Sequence, residues 1–305
     1  MVQQAEHQSN TKQEVQKGKL MLISAMLMLP GIDAIAKGMS DHISPGQLVW
    51  ARFFFQTLLL LPFAIKTNSL KTSKLLWVHA TRGFLIALAT LFFFASLAKL
   101  PMADAISIFF VGPLILTLLS ALVLHERVGF RRISAVAAGF LGSIIIIRPS
   151  YEIFGVTALL PVGAACAFSV YIILTRILVR DDNAITIQFS AGIFGCITMT
   201  LALLYGNNAE IGFLTPIWPS GLQWLFLAGL GIIATAGHML IVLSIKRIGA
   251  SLMAPFQYLE IVSATILGLI CFGDFPDALT WLGMAIIVSS GLYVYYRERE
   301  LEDSK

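Results

Sequence analysis

Ten apolar stretches of bilayer length account for most of this 305-residue chain. They fall at residues 19–38, 46–66, 75–98, 102–124, 131–148, 154–176, 184–206, 221–243, 249–272 and 278–296. A hydrocarbon core of about 30 Å needs about 20 apolar residues in a helix, so each stretch reads as one span and no extramembrane domain remains. The expected fold class is an all-α polytopic membrane protein with ten transmembrane helices. Composition agrees: 12% of the residues are charged and the mean hydropathy is +0.83, against roughly 25% charge in a soluble domain. Residues 1–18 read as a cytoplasmic polar tail and 297–305 as a cytoplasmic charged one. The first apolar segment is too long and starts too late for a cleaved signal peptide.

A formal net charge of +4 and a pI near 9.0 suggest a nucleic-acid partner until the charges are placed along the chain. With the N-terminus inside, 17 of the 21 Lys and Arg residues fall in the inner tails, loops and helix ends. Lys37, Lys99 and Arg148 fall at outer ends, and Arg52 lies within a span. This bias is the positive-inside pattern. It predicts an inner-membrane, multi-pass protein with both termini in the cytoplasm and no nucleic-acid partner. Cys166, Cys196 and Cys271 lie in apolar spans at no shared spacing. They read as small core hydrophobes rather than a disulfide framework or metal site, and no metal or cofactor is expected.

The spans divide into two sets of five. Leu97–Asp104 after span 3 and Ser244–Ser251 after span 8 are short basic turns, with Lys99 and Lys246 four residues before Ala103 and Ala250. Span 4 ends on His125-Glu126-Arg127-Val128 and span 9 on Gly273-Asp274-Phe275-Pro276. Ala135 and Gly142 follow Glu126 at the same intervals at which Gly283 and Ser290 follow Asp274, and such small residues permit close helix contact. The windows match at an offset of 147–148 residues. A five-span unit ends on the side opposite its start, so its second copy enters the membrane inverted, an arrangement that accompanies alternating access in transporters. The two repeats are expected at 19–148 (spans 1–5) and 154–296 (spans 6–10).

These residues also carry a family resemblance. Arg82-Gly83, Leu100-Pro101-Met102-Ala103-Asp104-Ala105, Gly112-Pro113 and His125-Glu126-Arg127 resemble the first EamA unit of the drug/metabolite transporter superfamily. Ala254-Pro255-Phe256-Gln257-Tyr258-Leu259-Glu260 with Asp274-Phe275-Pro276-Asp277 resembles the second. The resemblance implies ten helices in two inverted repeats. It also implies a central cavity formed mainly by helices 1–4 and 6–9, with helices 5 and 10 at the periphery.

A charge at bilayer depth costs about 2.5–3.5 kcal/mol on translocon scales, so each polar residue within a span calls for a reason. Glu260 lies 11 residues into span 9, about 16 Å along a helix at 1.5 Å per residue and hence near the midplane. It follows the helix-disturbing Pro255, with Gln257 and Tyr258 adding hydrogen-bonding capacity nearby. It reads as a cavity carboxylate for substrate or proton, or as a buried carboxylate paired with Arg. Asp33 and Arg52 are expected at similar depth on antiparallel neighbours, where pairing would offset burial. They form an outer gate, a ligand contact or a static bridge, with Lys37 as a competitor for Asp33. Arg82 reads as a cavity residue or a snorkelling one, and His238 as a residue able to titrate near neutral pH. Pro30 in span 1, Pro113 in span 4 and Pro255 mark helix-weakening points of the kind tolerated beside a cavity. The runs Phe53–Phe55 and Phe92–Phe94 are expected to be divided between lipid and stacking on a planar ligand.

No Walker loop, Gly-x-Ser-x-Gly elbow, His-Glu-x-x-His helix or Cys-x-x-Cys pair is present in the sequence. The chain reads as a secondary transporter rather than an enzyme, monomeric or homodimeric, with a proton or counter-substrate as coupling partner. Similarity in pattern favours riboflavin uptake, with S-adenosylmethionine, amino acids or drugs as alternative cargo. A passive channel is the alternative of a different class.

Overall fold

The computed structural model describes residues 2–67, 75–124, 130–248 and 254–303. His125-Glu126-Arg127 and residues 249–253 lie outside the described residues. Thirteen α-helices build the described chain: α1 Val2–Met28, α2 Pro30–Met39, α3 Pro45–Lys66, α4 Leu76–Leu97, α5 Met102–Phe109, α6 Gly112–Leu124, α7 Phe130–Phe154, α8 Leu160–Leu178, α9 Ala184–Asn208, α10 Gly221–Ile248, α11 Ala254–Gln257, α12 Leu259–Phe272 and α13 Ala278–Asp303. Among the described residues, six stretches are long and apolar enough to cross a membrane, and four shorter apolar stretches stand at spans 4, 5, 9 and 10. The polar segment before residue 19 is helical and continuous with span 1, and α13 likewise runs through the charged segment to Asp303.

Three spans are made of two helices each, and the sequence says where they break. In span 1 the regular bonding lapses at Leu29, because Pro30 has no N–H to offer one turn back. In span 4 the break falls at Phe110 and Val111, just before Gly112-Pro113. In span 9 it falls at Tyr258, three residues after Pro255, whose side chain is outside the described residues. Side chains of neighbouring spans also donate to backbone carbonyls at two of these breaks. Ser169 of α8 donates to the Gly112 carbonyl at 3.0 Å, and Ser263 of α12 donates to the Leu27 carbonyl at 2.8 Å.

The packing repeats itself. Spans 3 and 6 pack together as spans 8 and 1 do, spans 4 and 6 as spans 9 and 1, and spans 3 and 7 as spans 8 and 2. Spans 2 and 7 pair with each other, and so do spans 5 and 10. Replacing each span by its counterpart five places along therefore reproduces the same contacts, as two inverted five-helix repeats should. The matched small residues explain the closest of these pairs. A Cβ on Gly142 would lie 2.9 Å from the Gly283 carbonyl oxygen, and one on Gly283 would lie 2.7 Å from the Gly142 carbonyl oxygen. α7 and α13 therefore touch backbone to backbone. Large side chains such as Phe63, Trp77, Ile144, Leu201, Leu225 and Ile270 are exposed on the perimeter, the distribution expected of a surface solvated by lipid.

Candidate functional site

A cavity of about 120 Å³ lies between the two halves, lined from spans 1–4 on one side and spans 6, 8 and 9 on the other. At roughly 10–15 Å³ per water centre it has room for a cluster of waters or for a ligand group. Its walls are mostly apolar, and its polar groups are few: Asp33, Arg52, Thr90, Ser169, His238, Gln257 and Glu260.

The two carboxylates arrive by the same local device. Asp33 lies in the first turn of α2, just past the Pro30 break, and Glu260 in the first turn of α12, just past the Tyr258 break. A helix N-terminus carries unpaired N–H groups and positive partial charge, which favours an anion there. Breaking the helix mid-span creates such a terminus at membrane depth. Asp33 is 8% exposed and lies within electrostatic reach of both Glu260 and Arg52. Among the described residues neither carboxylate has a hydrogen-bond or ion-pair partner.

Arg52 does not form the expected pair with Asp33. Its guanidinium donates to the Thr90 hydroxyl of α4 and lies 2.6 Å from Nε2 of His238 on α10. The assumption that failed was adjacency: spans 1 and 2 are consecutive but do not pack along each other, because span 8 contacts both. Span 2 therefore meets Thr90 and His238 before it meets Asp33. An arginine only donates, so the His238 Nε2 must accept and the ring is neutral at that nitrogen. The Nε of Arg52 is buried and has no hydrogen-bond partner among the described residues. Lys37, the expected competitor for Asp33, instead pairs with Asp274 at 3.1 Å and donates to the Leu100 carbonyl at 2.7 Å.

Arg82 is outside the cavity and does not snorkel. It is 0% exposed, with Nε donating to Thr175 Oγ1 (2.8 Å), Nη1 to the Ile187 carbonyl (2.9 Å) and Nη2 to the Tyr171 hydroxyl (2.7 Å). Its guanidinium also stands 4.3 Å from the Tyr171 ring centroid. The result is a cross-link of spans 3, 6 and 7. Tyr258 also points away: it packs against Phe110 at 5.6 Å between ring centroids, and its hydroxyl occupies the space where any side chain at Gly291 would begin. Gln257 does line the cavity, as do His238 and Pro113. Cys166 and Cys271 are exposed rather than core residues, because they lie on outward helix faces, and Cys196 is half-buried; all three are free.

The aromatic runs divide by helix face. Phe93 and Phe94 line the cavity, whereas Phe53 is buried in the core and Phe54 is exposed and stacked on Trp50. Sequence reasoning missed Phe109 and Phe168. Phe109 stands 5.3 Å from Phe93 and 5.5 Å from Phe168, and the three form a continuous wall across spans 3, 4 and 6. Their signal was weak because each belongs to a different span. Among the described residues no group of three or more His, Cys, Asp or Glu side chains is placed to hold a metal ion.

The arrangement is an apolar chamber with an aromatic wall, two carboxylates without protein partners and a guanidinium held a short distance away. Such a chamber can bind a small molecule that is flat at one end and cationic at the other. Comparison with known proteins gives three kinds of likeness. The chain is 30% identical to an S-adenosylmethionine uptake transporter of Rickettsia bellii over 90% of this chain and 91% of that one. It is 28% identical to a riboflavin transporter of Vibrio cholerae over 91% and 92%, and 31% identical to a riboflavin transporter of Rhizobium johnstonii over 74% and 72%. A crystal structure with 22% sequence identity superposes with a TM-score of 0.64, covering 92% of this chain and 97% of that one, which shows a shared fold. The model of the EamA-like transporter family matches residues 16–148 and again 155–296, and the chain belongs to that family.

Proposed function

We propose that this protein is a secondary transporter that carries a small cationic metabolite bearing a flat ring across the bacterial inner membrane, and that S-adenosylmethionine uptake is its activity. The observation that carries this reading is the pair Asp33 and Glu260. Two carboxylates without protein partners in one apolar chamber are expensive to keep, and a substrate cation would offset that cost. The Phe93–Phe109–Phe168 wall supplies faces on which an adenine can stack, a contact worth about 0.5–1.5 kcal/mol beyond area burial. The relatives named for S-adenosylmethionine uptake support the same choice. Riboflavin, which the sequence pattern favours, is the second reading. It rests on the same aromatic wall and on the riboflavin-transporter relatives, but as a neutral molecule it leaves both carboxylates uncompensated.

The repeats rock against each other in this reading, exposing the cavity to each side in turn. In this reading, which the inward charge bias supports, both termini are cytoplasmic and the Lys37–Asp274 contact is on the outer side, where it links the two repeats. Counterflow in proteoliposomes tests the proposal: internal unlabelled S-adenosylmethionine should accelerate uptake of the labelled compound, as a carrier cycle requires and a passive channel does not. Acceleration by riboflavin instead would select the second reading, and no acceleration by either compound would refute both.

A further inference from the structure

The Arg52 environment contains more than a transport cavity needs. A guanidinium 5% exposed, lining the same chamber as two carboxylates that lack partners, would be expected to pair with one of them. Instead it is turned toward a hydroxyl and an imidazole, and one of its N–H groups is left buried without a partner. Thr90 is prepared for this role: its own hydroxyl proton is given to the Ile86 carbonyl at 2.7 Å, so its oxygen is free to accept from Arg52. His238 is committed as an acceptor at Nε2. The two acceptors come from spans 3 and 8, counterparts in the two repeats, and together they hold the cation away from spans 1 and 9.

We propose that Asp33 and Glu260 form one cation site for which Arg52 and the cationic group of the substrate compete, and that His238, with Thr90, is the positioning residue that holds Arg52 off this site. Resting on the substrate reading above, the proposal adds an internal competitor to it. When the site is empty, Arg52 can leave its two acceptors and neutralise the carboxylates. When the substrate cation occupies the site, His238 and Thr90 receive the displaced guanidinium, so it is never stranded without a partner. The transporter thereby avoids keeping two uncompensated carboxylates in the membrane during the empty half of its cycle.

The test uses the full chain in detergent with S-adenosylmethionine as the probe. His238→Leu removes the acceptor, so Arg52 should stay on the carboxylates and the Kd should rise about tenfold or more, a factor of ten being about 1.4 kcal/mol. The double variant Arg52→Gln/His238→Leu should recover affinity to within about threefold of wild type, roughly 0.7 kcal/mol. His238→Gln, whose amide oxygen still accepts from Arg52, should stay within the same margin. A double variant as weak as His238→Leu, or a His238→Leu protein that binds like wild type, would overturn the proposal. A ligand-free arm separates it from the substrate reading. Adding Glu260→Gln should lower the Tm of the His238→Leu protein, where Arg52 stays on the carboxylates, more than that of wild type, where Arg52 is divided between the carboxylates and its two acceptors. If this coupling appears and the wild type still binds no S-adenosylmethionine, the substrate reading fails while the competition stands. If the coupling is absent, the competition fails.

Discussion

Two buried arginines show how this fold separates structure from function. Arg82 gives three of its nitrogens to Thr175, Tyr171 and the Ile187 carbonyl, and lies against the Tyr171 ring. Arg52, also nearly fully buried, has a side-chain hydroxyl and an imidazole as partners, has an unpartnered Nε, and borders the central cavity. Burying a charge is costly unless its hydrogen bonds are satisfied. Arg82 meets that condition within the protein and is a fastener. Arg52 meets it in part and can exchange partners. Position in the sequence does not distinguish the two, since each is one basic residue inside an apolar span.

The largest effect should come from removing the fastener. Arg82→Leu leaves two hydroxyls and a carbonyl without their donor, and each unsatisfied buried group costs about 1–3 kcal/mol. The thermal unfolding midpoint in detergent should fall steeply, and Arg82→Lys should recover little because an ammonium lacks the planar fork. A melting temperature unchanged by Arg82→Leu would remove the contrast between the two arginines. Next in size is the effect of neutralising the cavity. Glu260→Gln and Asp33→Asn should each lower S-adenosylmethionine counterflow by about tenfold or more, the equivalent of about 1.4 kcal/mol. Each should lower the Tm far less than Arg82→Leu does, since no protein hydrogen bond to either carboxylate is lost among the described residues.

A smaller change is expected at the aromatic wall. Phe109→Ala should weaken S-adenosylmethionine binding by about tenfold at most, given about 0.5–1.5 kcal/mol for an aromatic pair, whereas Phe54→Ala on the exposed face should leave it unchanged. Titration by thermal shift reads both, because a ligand stabilises the form it binds. The smallest effect should come from the Lys37–Asp274 pair, which is partly exposed at 17% and 22%. Exposed pairs contribute about 0.2–1 kcal/mol. Asp274→Asn should therefore shift the balance between the two access states by no more than about fivefold, read as faster labelling of a cysteine introduced at the cavity position Ser169, in a protein whose three native cysteines are replaced, by an impermeant maleimide added from outside.

Much of the architecture was legible in the sequence, because lipid imposes few solutions. Span length, the charge bias and the repeated small residues gave ten helices in two inverted fives, and two of those small residues, Gly142 and Gly283, meet backbone to backbone. The prolines also marked the broken spans, since a missing N–H acts locally. Long-range placement was harder to read. Asp33 and Arg52 were expected to pair because their spans are consecutive, yet span 8 packs against both and supplies His238. Arg82 was read toward the cavity because its helix was expected to line it, and Tyr258 because it is close to Glu260 in sequence; neither fixes which way a helix face turns. Phe109 and Phe168 went unnoticed because an aromatic wall assembled from three spans leaves no run in the sequence.

The central claim is that the chamber between the repeats carries a cationic metabolite through alternating access, with Glu260 as its ligand. Exchange of labelled for unlabelled S-adenosylmethionine in proteoliposomes, compared between wild type and Glu260→Gln between about pH 5 and 8, tests it most directly. The account predicts accelerated exchange in wild type and its loss in a Glu260→Gln protein that remains folded. Full exchange by Glu260→Gln across that pH range would contradict it.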